Sequence, residues 1–311
     1  MLLELAVLPA ETIAFSVTAD RVDVHRHPIA AQALTALADA AASGDASALA
    51  SLYDLLIRPA AAQLDVAREV IVVAGPRLER VPFAALVDAT TRRMLVEQLP
   101  VSHATAASAL QPREPLPARR SMVAMELASD DVGLPGSAGE LADVRGLYAE
   151  GSNIAQEKAT LATFFDAAKN ADVIHLSGHS SGEPAVVETE LLIGPRRERL
   201  SWRSLSPATL SHAPVVVLAA CNTLRTPRAP SMRGLSLGSA FLAAGAGDVI
   251  GTLTPIADSD ARLFFHSVHQ RLAAGADAAE AVRQAQLEFM RDERRTAWRS
   301  VAVLTTRIQR R

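Results

Sequence analysis

The chain has 311 residues, of which 49% are hydrophobic and 21% are charged, a composition typical of soluble globular proteins. This length suits one large α/β unit or two smaller lobes. A net charge of −3 and an aromatic content of only 4% give no basis for binding nucleic acid. The single cysteine excludes an internal disulfide and a zinc site made of several thiolates.

The sequence also bears on where the protein resides. No basic region precedes the apolar residues Met1–Leu5, so the N-terminus does not resemble a secretory signal. No uncharged stretch is long enough to span a bilayer. A lone thiol suits a reducing compartment. We therefore expect a cytoplasmic protein without a membrane role.

Residues 1–110 predict a small α/β lobe. Helical spacing over Ala30–Ala42 and Ala46–Leu64 predicts two helices, the second ended or kinked by Pro59. The β-branched run Val70–Val73 predicts a short buried strand. Short apolar segments separated by turn residues predict an antiparallel meander: Leu2–Leu8, Thr12–Val17 and Arg21–Val24.

The remainder of the chain alternates strand and helix patterns after a basic, proline-rich segment, residues 111–120, which predicts an exposed connector. The predicted strands are Met122–Met125, Ala171–Gly178, Pro214–Ala220, Asp248–Leu253 and Trp298–Leu304. The predicted helices are Ser137 to about Tyr148, Leu161–Lys169 with Thr160 as its cap, Arg233–Ala244, Ala257–Ala273, and Asp277 to about Arg294. This alternation favours a mainly parallel sheet covered by helices on both faces.

Two candidate catalytic residues each follow a predicted buried strand. Cys221 comes directly after Pro214–Ala220, and His179 comes directly after Ala171–Gly178. Catalytic groups of parallel sheets collect at the carboxyl ends of the strands, and a base beside a thiol raises its thiolate fraction. An inert cysteine, which behaves as a small hydrophobe, would be expected inside the apolar run. A cysteine hydrolase is therefore the first hypothesis.

Two histidines compete for the role of the base. His175 lies within its strand, whereas His179 follows Gly178. The glycine is expected to break the extended geometry and to turn His179 outward into a cleft. We therefore predict that His179 is the base. His175 is predicted to be a core histidine, or one that supports the site without touching the substrate.

The segments His175–Ser180 and Val217–Thr223 resemble the CHAT family, caspase-like cysteine peptidases of clan CD that are related to separases. Further matches occur in family order over nearly the whole chain: Val81–Leu86, Leu134–Ser137, Arg233–Leu235, Ala240–Ala246, Val249–Leu253 and Ala281–Gln286. The resemblance implies a caspase-hemoglobinase-type three-layer α/β fold with a mainly parallel central sheet. Residues 121–311 would then form the catalytic lobe, 111–120 the connector and 1–110 a degenerate caspase-like companion lobe.

The resemblance also implies a mechanism. The Cys221 thiolate would attack a peptide carbonyl, and His179 would protonate the leaving amine and then activate water. Backbone N–H groups near Cys221 and at Gly178 and Ser180 would stabilise the oxyanion. No metal or organic cofactor would be required.

Three residues depart from the usual family pattern. Ser180 replaces the glycine that normally follows the catalytic histidine, and serine would be strained in a left-handed conformation. Thr254 stands where a tryptophan is usual, and Ala219 stands where several relatives that cut after basic residues place an acid. The alternative to an endopeptidase is therefore a catalytically weak or inactive scaffold that acts as a regulatory interaction module. A non-proteolytic cysteine hydrolase is a third candidate.

Substrate selection is predicted from the segment Leu253–Asp260, where separase-like relatives keep an acid in the pocket for the residue before the scissile bond. Asp258, with Asp260 nearby, would select Arg or Lys by a charge-assisted pair. The competing interpretation is that Asp258 or Ser259 simply caps the following helix. The basic loop Leu224–Arg233 lies where caspase-like enzymes build subsites or carry a processing site, although an ordinary surface loop is the default.

The expected partners follow from the same resemblance. The substrate would be a protein or peptide, without direct contact to nucleic acid or membrane. The sequence contains no helical repeats or sensor modules of the kind that often accompany such domains. Control by an activating protein partner or by homo-oligomer formation is therefore expected, and a role in bacterial defence or programmed death is implied.

Overall fold

A computed structural model describes residues 1–113, 121–128, 137–181, 189–207, 209–226 and 236–309. The chain divides into two units, Met1–Leu110 and Gln111–Arg311. Among the described residues, no helix combines the length and the apolar character needed to cross a membrane.

The first unit is built on a mixed sheet. Its strands are β1 (Leu2–Val7), β2 (Thr12–Val17), β3 (Val22–His27), β4 (Val70–Val73) and β5 (Val101–His103). They lie in the order β3-β2-β1-β4-β5. The pairs β1–β2 and β2–β3 are antiparallel, as the apolar segments predict, and β4 runs parallel to both β1 and β5. Strand β3 continues to His27, and β5 has too few residues to show a strand pattern in the sequence.

The helices of the first unit are α1 (Ala31–Ala42), α2 (Ala46–Leu52), α3 (Ala61–Leu64) and α4 (Leu95–Gln98). Asp45 caps α2 by accepting a hydrogen bond from the N–H of Ala48 at 2.7 Å. Between α2 and α3 the chain forms a π-helical turn and then a 3₁₀ turn that contains Pro59. Proline has no N–H to donate to the preceding turn, which accounts for the loss of α-helical geometry at the predicted position.

The second unit contains a mainly parallel central sheet, which confirms the predicted fold class. The strands of this unit are β6 (Gln111–Arg113), β7 (Ser121–Glu126), β8 (Glu150–Ile154), β9 (Val173–Ser177), β10 (Ser180–Ser181), β11 (Glu190–Ile193), β12 (Glu198–Leu200), β13 (Val215–Ala219), β14 (Asp248–Thr252), β15 (Val301–Thr305) and β16 (Arg307–Gln309). The central order is β15-β14-β13-β9-β7-β8, with only β15 antiparallel to its neighbour there. Strands β10–β12 form a small antiparallel sheet, and β6 pairs with β16.

The helices of the second unit are α5 (Ser137–Arg145), α6 (Leu161–Ala168), α7 (Leu237–Ala243), α8 (Asp258–Ala273) and α9 (Ala278–Phe289). The predicted cap of α6 is present, because the Thr160 side chain accepts a hydrogen bond from the N–H of Thr163 at 3.0 Å. Helix α9 ends before Arg294. The Asp292 carboxylate there accepts a bond from the Arg294 N–H, a local contact that competes with helical pairing.

Two further boundaries differ from the expectations based on sequence pattern. Residues 111–113 of the predicted connector form β6, whereas 114–120 lie outside the described residues. The last predicted strand begins at Val301 rather than Trp298, because Ala297–Ser300 forms a 3₁₀ turn.

The core of the second unit holds the ends of the central strands in place. Strands β9, β13 and β14 are completely buried. Phe164 and Phe241 pack edge to face in this core, with ring centroids 6.5 Å apart. The same cluster includes Ala220 and Leu224, which lie on either side of Cys221. The core therefore anchors the segment that carries the thiol.

Candidate active site

His179 and Cys221 lie beyond the ends of two neighbouring strands. Strands β9 and β13 run parallel, and Ser177 pairs with Ala219. Each candidate residue comes two positions after this pair. The N–H of Gly178 donates to the carbonyl of Ala219 at 3.2 Å, which continues the pairing one residue past β9. The candidate base and nucleophile therefore lie at the same carboxyl edge of the sheet, where catalytic groups of parallel sheets collect.

Gly178 marks the point where the chain leaves the sheet. Its φ of +146° is a conformation that only glycine adopts readily. A Cβ at this position would lie 2.7 Å from the Cβ of Leu127, well inside contact distance. The next residue, His179, is exposed, whereas His175 within the strand is completely buried.

Ser180 links the loop of the histidine to the loop of the cysteine. Its hydroxyl donates to the carbonyl oxygen of Cys221 at 2.6 Å. Ser180 belongs to β10, and its φ is negative. The strain expected for serine in place of glycine therefore does not arise.

The thiol of Cys221 is free and half-buried. Asn222 follows it with a left-handed φ of +57°, which asparagine tolerates better than most residues. The carbonyl of Asn222 accepts hydrogen bonds from the Thr189 hydroxyl and from the N–H of Arg225, both at 3.1 Å. The chain thus turns sharply after the thiol and is held in that turn.

Thr223 fastens this turn to the neighbouring strand β14. Its fully buried hydroxyl accepts a hydrogen bond from the N–H of Thr252 at 3.0 Å. The Thr252 hydroxyl in turn donates to the carbonyl of Ala220 at 2.7 Å. Gly251 makes room for this contact, because a Cβ there would lie 2.5 Å from the Thr223 hydroxyl oxygen. Bonds on both sides of Cys221 therefore fix its backbone.

A chain of buried polar side chains lies against β9 and includes His175. The Tyr148 hydroxyl is 2.8 Å from Nδ1 of His269, and Nε2 of His269 is 3.0 Å from Nδ1 of His175. Nε2 of His175 lies 3.2 Å from Oε1 of Glu140, an ion-pair distance without the alignment of a hydrogen bond. The Ser177 hydroxyl donates to Oε2 of Glu140 at 2.7 Å. We call these five residues the buried polar chain.

Burial sets the charge state of His269 in the buried polar chain. Its pKa lies well below the ordinary value, first because burial disfavours the imidazolium and then because His175 and His266 are close. His269 is therefore neutral near pH 7, with one ring nitrogen that donates and one that accepts.

The two candidate pocket acids lie in the first turn of α8. Asp258 and Asp260 are half-buried, and no side chain caps the helix at Ala257. The capping role considered for Asp258 or Ser259 is therefore not observed, although acids in a first turn interact favourably with the helix dipole. At 100° per residue, Asp258 and Asp260 point to nearly opposite sides of the helix. At most one of them faces a common pocket.

Two other predicted features are only partly described. In the loop Leu224–Arg233, residues 227–233 lie outside the described residues, as does most of the segment Leu134–Ser137. Thr254, which stands where relatives carry tryptophan, has its hydroxyl 2.5 Å from that of Ser300.

Comparison with protein families now identifies the chain. The family model of the CHAT domain matches residues 46–306. The chain belongs to the CHAT domain family. This confirms the predicted family over most of the sequence.

Solved structures similar to this CHAT domain include cysteine peptidases. In the Saccharomyces cerevisiae separase–securin complex the likeness covers 77% of this chain and 16% of that chain, with a TM-score of 0.52 and 13% identity. The similarity to gingipain R, described as an Arg-specific cysteine proteinase, covers 89% of this chain and 68% of the gingipain chain, with a TM-score of 0.53 and 9% identity. The similarity to the complex of Porphyromonas gingivalis RgpB pro- and mature domains covers 86% of this chain and 70% of the matched chain, with a TM-score of 0.52 and 9% identity. No curated protein matches the chain.

These likenesses concern the fold. The CHAT domain shares its fold with separase and with gingipain R, and its α/β architecture agrees with the predicted fold class. It spans only about a sixth of the chain that it matches in the separase–securin complex. Activity, substrate and partners are therefore treated below as proposals.

One predicted role within the CHAT domain needs correction. Gly178 was expected to offer its N–H to the oxyanion of the reaction. The structure uses that N–H to extend the pairing between β9 and β13, where it donates to Ala219. Because an N–H group provides a single hydrogen, a donor for an oxyanion would have to be a group other than this one.

The sequence analysis of the CHAT domain did not single out most of the buried polar chain. Ser177 lies two residues from His175, and alternation along a strand places both on one face, so their common orientation could be predicted. Glu140 was considered only as part of a helix start. His269 is 94 residues from His175, and no local pattern predicts that contact.

Proposed function

We propose that this CHAT domain is a cysteine endopeptidase that cleaves a protein or peptide, with Cys221 as the nucleophile and His179 as the general base and acid. One observation carries the proposal. The two residues extend from the ends of adjacent parallel strands, and the Ser180 hydroxyl joins their loops through the Cys221 carbonyl. The caspase-like fold, shared with known cysteine peptidases, supports the same assignment.

The chemistry proceeds in two stages. The Cys221 thiolate attacks the carbonyl carbon of the scissile bond, and the C–N bond breaks as His179 gives a proton to the leaving amine. This leaves an acyl-enzyme. His179 then removes a proton from water, which hydrolyses the thioester and returns the thiol. Backbone N–H groups of the two loops, other than that of Gly178, stabilise the oxyanion.

The contacts of Ser180 and Thr254 weaken the alternative of an inactive scaffold. That alternative was motivated by their departure from the family pattern. Ser180 has an unstrained backbone and a hydrogen bond that joins the two loops. Thr254 pairs with Ser300 beside the end of β14. Both residues thus have structural roles that are compatible with the proposed dyad.

The proposal is tested by labelling with peptide acyloxymethyl ketones that carry Arg, Lys, Leu or Asp next to the warhead. Cys221 is the only cysteine, so the mass of the intact protein reports thiol modification without ambiguity. We expect one adduct on the wild type and none on Cys221→Ala. Absence of an adduct with every probe, also when candidate partner proteins are added, would favour the scaffold alternative.

We further propose that the pocket prefers Arg or Lys before the scissile bond and that Asp258 provides the matching charge. Gingipain R, which shares the fold, is described as Arg-specific. A carboxylate that pairs with a guanidinium or ammonium group forms a strong, charge-assisted bond. Regulation by a separate protein, or by assembly of the chain with itself, remains part of the proposal. The structure of separase in complex with securin is a precedent for a protein partner on this fold.

The charge of Asp258 is tested by comparison with Asp260. Asp258→Asn is expected to lower labelling by the Arg and Lys probes about tenfold or more and to leave the Leu probe unchanged, because an amide keeps the shape but loses the charge. Asp260→Asn is the matched control, since it removes the same charge from the opposite side of the same helical turn. Equal behaviour of the two variants would contradict a specific role for Asp258.

A further inference from the structure

The buried polar chain ends on the residue that leads into the proposed catalytic loop. Ser177 is the last residue of β9, and His179 follows after Gly178. Glu140, which accepts the Ser177 hydrogen bond, belongs to α5, and His269 belongs to α8. The buried polar chain therefore joins the end of β9 to the helices α5 and α8. No step of the proposed peptide cleavage uses any of these five groups.

One arrangement of protons is consistent with all three hydrogen bonds of the buried polar chain. The Ser177 hydroxyl donates to Oε2 of Glu140, and Nε2 of His175 lies 3.2 Å from Oε1 of Glu140 without the alignment of a hydrogen bond. Nδ1 of His175 then accepts from Nε2–H of His269.

The direction of the hydrogen bond between Tyr148 and His269 follows from the neutral state of His269. Its Nδ1 has no proton in this arrangement, so it accepts from the Tyr148 hydroxyl. The donors of the three hydrogen bonds thus all point along the buried polar chain toward Glu140. A buried network costs stability when it is only partly satisfied and rigidifies its surroundings when it is complete.

We propose that Glu140 and Ser177 are positioning residues for His179. Glu140 holds the last residue of β9 to α5, and this contact fixes the backbone from which Gly178 turns and presents the imidazole. The consequence for catalysis rests on the proposed function, whereas the effect on the backbone does not.

The geometry of Gly178 explains why an anchor is needed at this position. Glycine has the largest backbone freedom of any residue, so a loop that pivots on it is not confined by local sterics. The hydrogen bonds on either side provide that confinement. Gly178 N–H donates to Ala219 on one side, and Ser177 donates to Glu140 on the other.

The experiment measures hydrogen exchange of the Gly178 amide in the full chain. In Ser177→Ala we expect this amide to exchange about tenfold faster, the effect of losing one hydrogen bond of ordinary net strength, while the Ile174 amide in the middle of β9 is unchanged. Glu140→Leu should do the same, because leucine has a similar size but no oxygen to accept the Ser177 hydrogen bond. Tyr148→Phe is the matched control, since it removes a hydroxyl from the far end of the same buried chain.

Each outcome bears on the proposal. Faster exchange at Gly178 in Ser177→Ala and Glu140→Leu, but not in Tyr148→Phe, supports it. Unchanged protection of Gly178 in Ser177→Ala overturns it, and so does an equal change in Tyr148→Phe, which would indicate general loosening. If the alanine variant does not fold, Ser177→Cys fills the site with a group that is a much weaker donor, and the same exchange criterion applies.

A second measurement separates this inference from the proposed function. Acyloxymethyl ketone labelling of Ser177→Ala is expected to show a lower maximal rate of inactivation at unchanged probe affinity, because the histidine is displaced and the pocket is intact. If the wild type is not labelled, the endopeptidase proposal fails and the exchange result still decides the role of Ser177. If the wild type is labelled and the variant is labelled at the same rate, the positioning role is overturned and the dyad remains.

Discussion

Replacing His179 by alanine is expected to lower the rate of peptide cleavage by about 10²- to 10⁴-fold, the usual contribution of general acid–base catalysis. The side chain is exposed and makes no hydrogen bond to another described residue, so the free energy of unfolding should change by less than about 0.5 kcal/mol. The measurement is steady-state cleavage of a fluorogenic peptide that matches the best probe, with urea unfolding in parallel. Loss of activity without loss of stability would locate the effect in the chemistry.

His212→Ala is the matched control for this variant. His212 is also exposed, but it precedes β13 and so lies at the opposite end of that strand from Cys221. It should cleave at the wild-type rate. Partial recovery of His179→Ala by added imidazole would further indicate that a base is missing. Wild-type cleavage by His179→Ala would contradict the assignment of the base.

Replacing Gly178 by alanine is expected to destabilise the protein by about 2 to 6 kcal/mol. One part is backbone strain, about 1 to 3 kcal/mol for a residue other than glycine at this φ. The other part is the close approach of the new Cβ to Leu127. Overpacking of this kind costs about 1 to 3 kcal/mol more. Cleavage should be lost as well, because the displaced backbone carries His179. Urea unfolding and peptide cleavage measure the two effects.

Gly275→Ala is the control that separates the two contributions. Gly275 also has a positive φ, +95°, but a Cβ there would meet nothing within 4 Å. This variant should therefore show the strain alone and retain full cleavage. If both variants lost the same stability, the contact with Leu127 would relax without cost, and the packing part of the prediction would be wrong.

Much of the central sheet could be predicted from sequence because its strands are completely buried. Strand β13 is a continuous apolar run, and β9 and β14 have apolar centres, as expected for parallel strands covered on both faces. Strands such as β8 could not be predicted in this way. Strand β8 is a largely exposed, polar segment with no alternating pattern. It forms because its backbone pairs with that of β7.

The candidate site divides in the same manner. That His179 and Cys221 both follow buried strands is visible in the sequence, and the alternation of strands with helices implies that such strand ends meet at one edge. The bond between Ser180 and Cys221 was not predictable, and the strain expected for Ser180 depended on a backbone conformation that the sequence does not specify. The roles of the dyad, of Asp258 and of the companion lobe stay predictions.

The sequence by itself thus determined the family, the mainly parallel α/β fold and the two residues, His179 and Cys221, that follow its central strands. These follow from local periodicity and from motifs of a few adjacent residues, which a linear pattern records. Only the tertiary structure decided that Glu140 meets Ser177, that His269 meets His175, and that the N–H of Gly178 is already paired. The side-chain contacts join residues 37 and 94 positions apart. Their existence depends on how the helices pack against the sheet, because a buried polar group has to find its partner wherever the packed elements place one.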